Sequence, residues 1–200
     1  MIIEMKIFSD YIWPFCYIGK GIVDSLKKEF SIKDTWLSFE LHPETPPEGI
    51  SLAERFSETG LMRMFENLRN RGKELGITFS QLSKLSNSRM VLEASEFARD
   101  MGKYDLFHEQ VFHAYFTELK DIGNIDTINE IALSCGLNID EMGHALMEHR
   151  YAGRLDETRE EATRINLSGV PTYLINDHYK IVGAQPIEVF KDLFKKIGTT

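Results

Sequence analysis

The chain has little cysteine. Cys16 and Cys135 are the only two in 200 residues, too few to staple a secreted domain of this size, so a disulfide framework is excluded and a reducing, cytoplasmic setting is expected. Long apolar runs are missing as well. Nothing approaches the roughly 20 consecutive apolar residues of a membrane helix, and Met1 to Asp10 shows no basic start, apolar stretch and small-residue cleavage site. Neither a membrane span nor export by such a signal is expected. Basic residues are in deficit, with 23 Lys and Arg against 31 Asp and Glu for a net charge of −8. Without a concentrated basic patch, that balance repels phosphate backbones, and no nucleic-acid partner is expected. Internal repeats, low-complexity segments and coiled-coil heptads are absent too.

What is there is ordinary globular material, 42% hydrophobic and 27% charged, enough to bury a real core. Ile2 to Phe8 is a β-prone run that stops at the turn pair Ser9-Asp10. Pro14 suits the first position of a helix, where its missing N–H is not needed. That helix is expected to run to about Phe30, with Ile18, Ile22, Val23, Leu26 and Phe30 on one face. Thr35 to Leu41 reads as a second strand. His42 to Gly49 then holds three of the six prolines and marks the best internal boundary. From Leu52 to about Leu167 the pattern is helical throughout, with Asn87-Ser88 opening one helix and others near 104–118, 125–135, 139–149 and 152–167. Thr172–Ile175 and Tyr179–Val182 read as a hairpin, and Pro186 to Ile197 as a closing helix. The fold class is therefore α/β: a βαβ unit and a ββα unit, residues 1–44 and 168–200, forming one sheet-containing domain, with residues 45–167 as a helical insertion beside it.

Chemistry concentrates at one edge. Trp13-Pro14-Phe15-Cys16 stands where the first strand gives way to the first helix. A helix amino end favours a thiolate, which makes Cys16 a candidate reactive thiol; a small buried apolar residue is the alternative. Cys135, near a helix end without a charged or histidine neighbour, reads as core. Phe8, Tyr11, Trp13, Phe15 and Tyr17 add aromatic surface, either as a groove for an apolar or peptide ligand or as packing. His108 and His113, like His144 and His149, are five apart, about 140° around a helix, so no metal site is expected. His42, at a strand end, could tune a thiolate or bind substrate, but reads better as a loop residue. Gly19-Lys20-Gly21 lacks the spacing of a phosphate loop. Asp156 to Glu161, interleaved with Arg154, Arg159 and Arg164, looks like a solvated, salt-bridged helix face.

The segment Asp10-Tyr11-Ile12-Trp13-Pro14-Phe15-Cys16-Tyr17-Ile18-Gly19 resembles the active-site segment of DsbA-type thioredoxin-fold oxidoreductases, specifically the FrnE-like branch. Phe39 to Gly49, Asn87-Ser88-Arg89, Leu92 to Ala98, Asp121-Ile122-Gly123, Ser168 to Pro171 and Gly183 to Pro186 resemble the same branch, so the likeness covers nearly the whole chain. It implies a thioredoxin fold interrupted by a large helical insertion, and thiol–disulfide exchange or isomerisation on a thiol or disulfide peptide or small molecule. No cofactor would be resident; glutathione could serve as co-substrate. The family pattern is Cys-Pro-X-Cys, in which the first cysteine attacks a substrate disulfide and the second resolves the mixed disulfide. Here the first position is Trp13, and Cys16 matches the resolving position. Pro14 and Phe15 belong to the same motif, and Val170-Pro171 matches the family's cis-proline, whose preceding residue offers backbone groups to an extended substrate. Related glutathione transferases of the kappa class and 2-hydroxychromene-2-carboxylate isomerases carry serine where Trp13 stands. A glutathione-dependent isomerase or transferase, and a non-catalytic peptide- or polyketide-binding module, are therefore the two alternatives. Because TGG lies one base from both cysteine codons and from TGA, residue 13 has three readings: a true tryptophan, a changed cysteine, or a replaced selenocysteine.

Overall fold

The computed structural model describes residues 2–198. Strand β1 (Ile3–Ser9) is followed by α1 (Pro14–Leu26), β2 (Ile32–Ser38), the two-residue β3 (Ile50–Ser51), α2 (Glu58–Glu74) and the equally short β4 (Lys84–Leu85). Five helices come next: α3 (Arg89–Asp100), α4 (Tyr104–Phe116), α5 (Ile125–Ser134), α6 (Ile139–Met147) and α7 (Ala152–Arg164). The hairpin of β5 (Thr172–Ile175) and β6 (Tyr179–Val182) and then α8 (Ile187–Gly198) complete the chain.

The main sheet has the order β2-β1-β5-β6. β1 is central, parallel to β2 from Ile3↔Ile32 to Ser9↔Ser38 and antiparallel to β5 from Met5↔Ile175 to Phe8↔Thr172. Its central place explains why Phe8 and Ser9 are buried along with the alternating Ile3, Met5 and Ile7. The hairpin turns through Asn176 and Asp177, both at positive φ, a conformation these two residue types tolerate better than most. Helices α1 and α8 pack against one another, and α3 and α7 pack along β2.

Three expected boundaries move, each for a local reason. α1 ends at Leu26 rather than near Phe30, because the chain must turn back to start β2; Phe30 is kept in the core by its edge-on contact with Phe194 at 5.1 Å. The second strand begins at Ile32 and ends at Ser38. Its first residues, Lys33-Asp34-Thr35, are polar, so the hydrophobic pattern starts late. Phe39 still donates its N–H to Ser9 beyond the strand. The helical stretch expected from Leu52 is interrupted by β4, which pairs Leu85 with Ile50 and Lys84 with Ser51 of β3, just ahead of that stretch; two-residue strands carry no periodic signal. Ser88 does stand at the N-cap of α3, but its side chain makes no cap bond. On α7 the arginines do not pair within their own helix as expected. Arg154 reaches Glu96 and Asp100 of α3, and Arg159 reaches Glu40.

The buried core is continuous from sheet to inserted helices. Tyr17 of α1 stacks on Phe112 of α4 at 5.1 Å, and Trp36 of β2 lies 4.6 Å from the ring of the buried His108. Close approach is specified by Gly19, in the middle of α1: a methyl group there would meet the Tyr173 hydroxyl and the ring of Pro171. Gly19→Ala is therefore expected to lower stability by about 1–3 kcal/mol through overpacking. Gly143→Ala, in α6 with open space around the added atom, should instead raise it by up to about 1 kcal/mol. Urea unfolding of the two variants measures both effects.

Candidate active site

The site is built where β1 stops. Ser9 ends the strand, Asp10 to Ile12 turn the chain, and Trp13 becomes the N-cap of α1 with extended backbone angles, φ −99° and ψ 114°. Pro14 then supplies a first helical residue that has no N–H to leave unpaired. Trp13 and Phe15 are half-buried, their rings 6.1 Å apart. Both line a cleft of about 770 Å3, shared with Val170, Arg71 and the turn from Gly183 to Glu188. Arg71, from α2, donates to the Ala184 carbonyl and places its guanidinium 5.6 Å from the centre of the Phe15 ring. An inserted helix thus closes one wall.

The Val170–Pro171 peptide bond is cis. Pro171 accepts a hydrogen bond from the Gly183 N–H at 2.7 Å, whereas neither the N–H nor the carbonyl of Val170 has a partner among the described residues. Two backbone groups of opposite polarity are therefore free beside the cleft.

Of the six site residues read from the sequence, Trp13, Phe15 and Val170 share this wall, while Pro14, Cys16 and Pro171 are buried and do not line it. Cys16 is fully buried, and burial pushes its thiol up to about 12; the Ser9 hydroxyl and the Asp10 backbone offset only part of that effect. Of the two readings of Cys16, activated thiol or small buried residue, its burial favours the second. Desolvation of a sulfur pointing into the core outweighs a helix field felt at the surface. At neutral pH Cys16 is therefore a thiol. Cys135 is buried and unpaired, as its sequence context suggests.

Below the thiol lies Asp10, also fully buried. It accepts hydrogen bonds from the Leu41 N–H at 2.7 Å, the Ser88 hydroxyl at 3.0 Å and the Ile12 N–H at 3.3 Å. Burial nevertheless raises its pKa from 3.8 to about 6. His42 sits apart from the cleft, paired with Glu44 at 2.9 Å. His108 is packed among aromatic rings, with Nδ1 3.0 Å from the Tyr11 hydroxyl, and burial holds it neutral. No group of three or more His, Cys, Asp or Glu able to hold a metal occurs among the described residues.

The sequence profile of the DSBA-like thioredoxin domain matches residues 4–195. The chain belongs to that family. It is 30% identical over 199 residues to the uncharacterized protein YwbO of Bacillus subtilis (strain 168), covering 96% of this chain and 95% of that protein. Among solved structures it superposes on a probable DsbA oxidoreductase, SCO1869 from Streptomyces coelicolor, with a TM-score of 0.90 at 20% identity, over 97% of this chain and 89% of that one. It also superposes on a 2-hydroxychromene-2-carboxylate isomerase with a TM-score of 0.79 at 16% identity, over 98% and 96%. At these identities the two structures show the thioredoxin-like fold.

Sequence reasoning missed the cleft's second side. Arg71 gave no signal, being one of several charges on an amphipathic helix, with its partner 113 residues away. Asp10 read as a turn former and as the first residue of the motif segment, with no role of its own; its place directly after an apolar strand was the available hint.

Asp10 carries a pH signature. Because its folded pKa is raised, the cost of its buried charge is absent below about pH 4, grows between pH 4 and 6 and is complete above. Relative to Asp10→Asn, the natural chain should lose on the order of 3 kcal/mol of stability on going from pH 4 to pH 7. Urea midpoints of both proteins across that range test it; a difference that stays flat with pH would refute the assignment.

Proposed function

We propose that this chain is a disulfide-exchange scaffold whose cleft binds an extended thiol- or disulfide-bearing peptide or small molecule, and in which position 13 is the place of the attacking atom. The observation that carries this reading is the division of roles between two residues. Trp13 stands at the helix end and on the cleft wall, whereas Cys16 is sealed behind it. In two-thiol exchange the outer nucleophile breaks the substrate disulfide, forms a mixed disulfide and releases one substrate thiol. The inner thiol then attacks that bond, closing an internal disulfide and releasing the second substrate thiol. Trp13 has no atom for the first step, and Cys16 has neither exposure nor acidity to replace it.

As it stands the protein therefore binds rather than exchanges. The free backbone of Val170 would pair with an extended segment, as one added strand residue does, and the Trp13 and Phe15 rings would hold its apolar side chains. Glutathione fits this class as a thiol peptide. A glutathione-dependent isomerase or transferase reading is less favoured, because the indole offers no hydroxyl to a glutathione thiol. Two free, buried cysteines support a reducing cytoplasm as the place of action.

The natural chain is expected to show no dithiothreitol-dependent reduction of insulin, and Trp13→Cys to gain it. Trp13→Cys combined with Cys16→Ser should lose turnover and accumulate mixed disulfides visible by mass spectrometry. Cys16-dependent turnover by the natural chain, or a folded Trp13→Cys protein without activity, would overturn the proposal.

A further inference from the structure

Among the described residues, Arg71 is the one basic side chain that is partly withdrawn from solvent and has no carboxylate beside it. It is half-buried in the cleft wall, and its one hydrogen bond goes to a carbonyl. Every other buried or half-buried lysine or arginine forms an ion pair with an acidic side chain, as Lys20 does with Asp24, Arg89 with Glu93 and Arg99 with Glu96. A charge taken partly out of water is costly unless an opposite charge answers it. That rule holds for these groups everywhere but in the cleft.

The Arg71 guanidinium is also held in place. It donates to the Ala184 carbonyl, and its central carbon lies 5.6 Å from the centre of the Phe15 ring. Its remaining N–H groups have no acceptor among the described residues. A guanidinium fixed on two sides presents a planar fork that matches the two oxygens of a carboxylate, and it loses little freedom on binding one. Val170, whose backbone groups are free, lines the same cleft.

Charge sets how much anion the cleft can take. Glu74 and Glu188 also line it, both exposed. Glu74 is three residues beyond Arg71 on α2, a spacing that allows an ion pair, yet none forms. Two carboxylates standing in solvent leave room for a ligand with one net negative charge and oppose one with more. We propose that Arg71 is the specificity-determining residue of the cleft and anchors a carboxylate of the bound molecule, while the ligand backbone lies against Val170 and its apolar part against Trp13 and Phe15. The carboxylate is either a peptide's chain end or an acidic side chain. This inference rests on the reading of the cleft as a site for peptides or small thiol compounds.

Calorimetric titration of the full chain under reducing conditions with three acetylated tripeptides tests it: acetyl-Val-Cys-Leu as the free acid, the same peptide as its C-terminal amide, and acetyl-Val-Cys-Glu amide. The net charge of −8 by itself favours the neutral amide, so a preference for an acid isolates the guanidinium. At least one carboxylate peptide is expected to bind about tenfold more tightly than the neutral amide, and which one does so tells a chain end from an acidic side chain. Arg71→Gln should reduce that ratio to about two or less. If the variant does not fold or binds none of the three, the order of affinities on the natural chain decides. Equal binding of the three, tightest binding of the neutral amide, or a preference for the acid that survives in folded Arg71→Gln would overturn the anchor and leave the reading of the cleft standing. Binding of none of the three by the natural chain at millimolar concentration would overturn both.

Discussion

A single buried carboxylate holds the site together. Asp10 takes donors from the residue two ahead of it, from Leu41 just past β2 and from Ser88 at the head of α3. The end of the central strand, the exit from the edge strand and the start of an inserted helix are thereby fixed to one side chain. Ser88 shows the cost of this arrangement. Its hydroxyl bonds the carboxylate and makes no cap for its own helix, although a capping bond is typically worth about 1 kcal/mol. Cys16, on the helix that follows, is kept neutral mainly by its own burial.

The architecture separates the lining of the cleft from the buried thiol of Cys16. The wall is assembled from Trp13 and α1, from α2 and from the loops at Val170 and Gly183–Glu188. Arg71 is the joint between the wall's two sides, since it touches both Phe15 and Ala184. A family fold is compatible with quite different chemistry when the site is distributed in this way.

Much of this was legible in the residues. The hairpin of Thr172–Ile175 and Tyr179–Val182 was read at its observed limits, because short apolar runs flanked a turn-forming Asn-Asp pair. Helices α4 to α7 were read to within a few residues from their apolar spacing. β2 was displaced because an edge strand tolerates Lys33 and Asp34, and β3 and β4 went unseen because two residues show no period. At the site, motif residues on one stretch of chain, Trp13 and Phe15, were found. Arg71 and Asp10 were not, because their roles come from partners 113 and up to 78 residues away, and no local pattern encodes that.

The position of β1 has a consequence for synthesis. It is made well before its second neighbour, β5, which begins at Thr172. Throughout translation of the helical region, the backbone edge from Met5 to Phe8 lacks its antiparallel partner. Open apolar edges invite pairing with other chains. The parallel ladder to β2 and the early covering by α1 protect one side only, so the sheet stays unfinished until the β5–β6 hairpin emerges. The last strands to emerge are the ones that make the first strand safe.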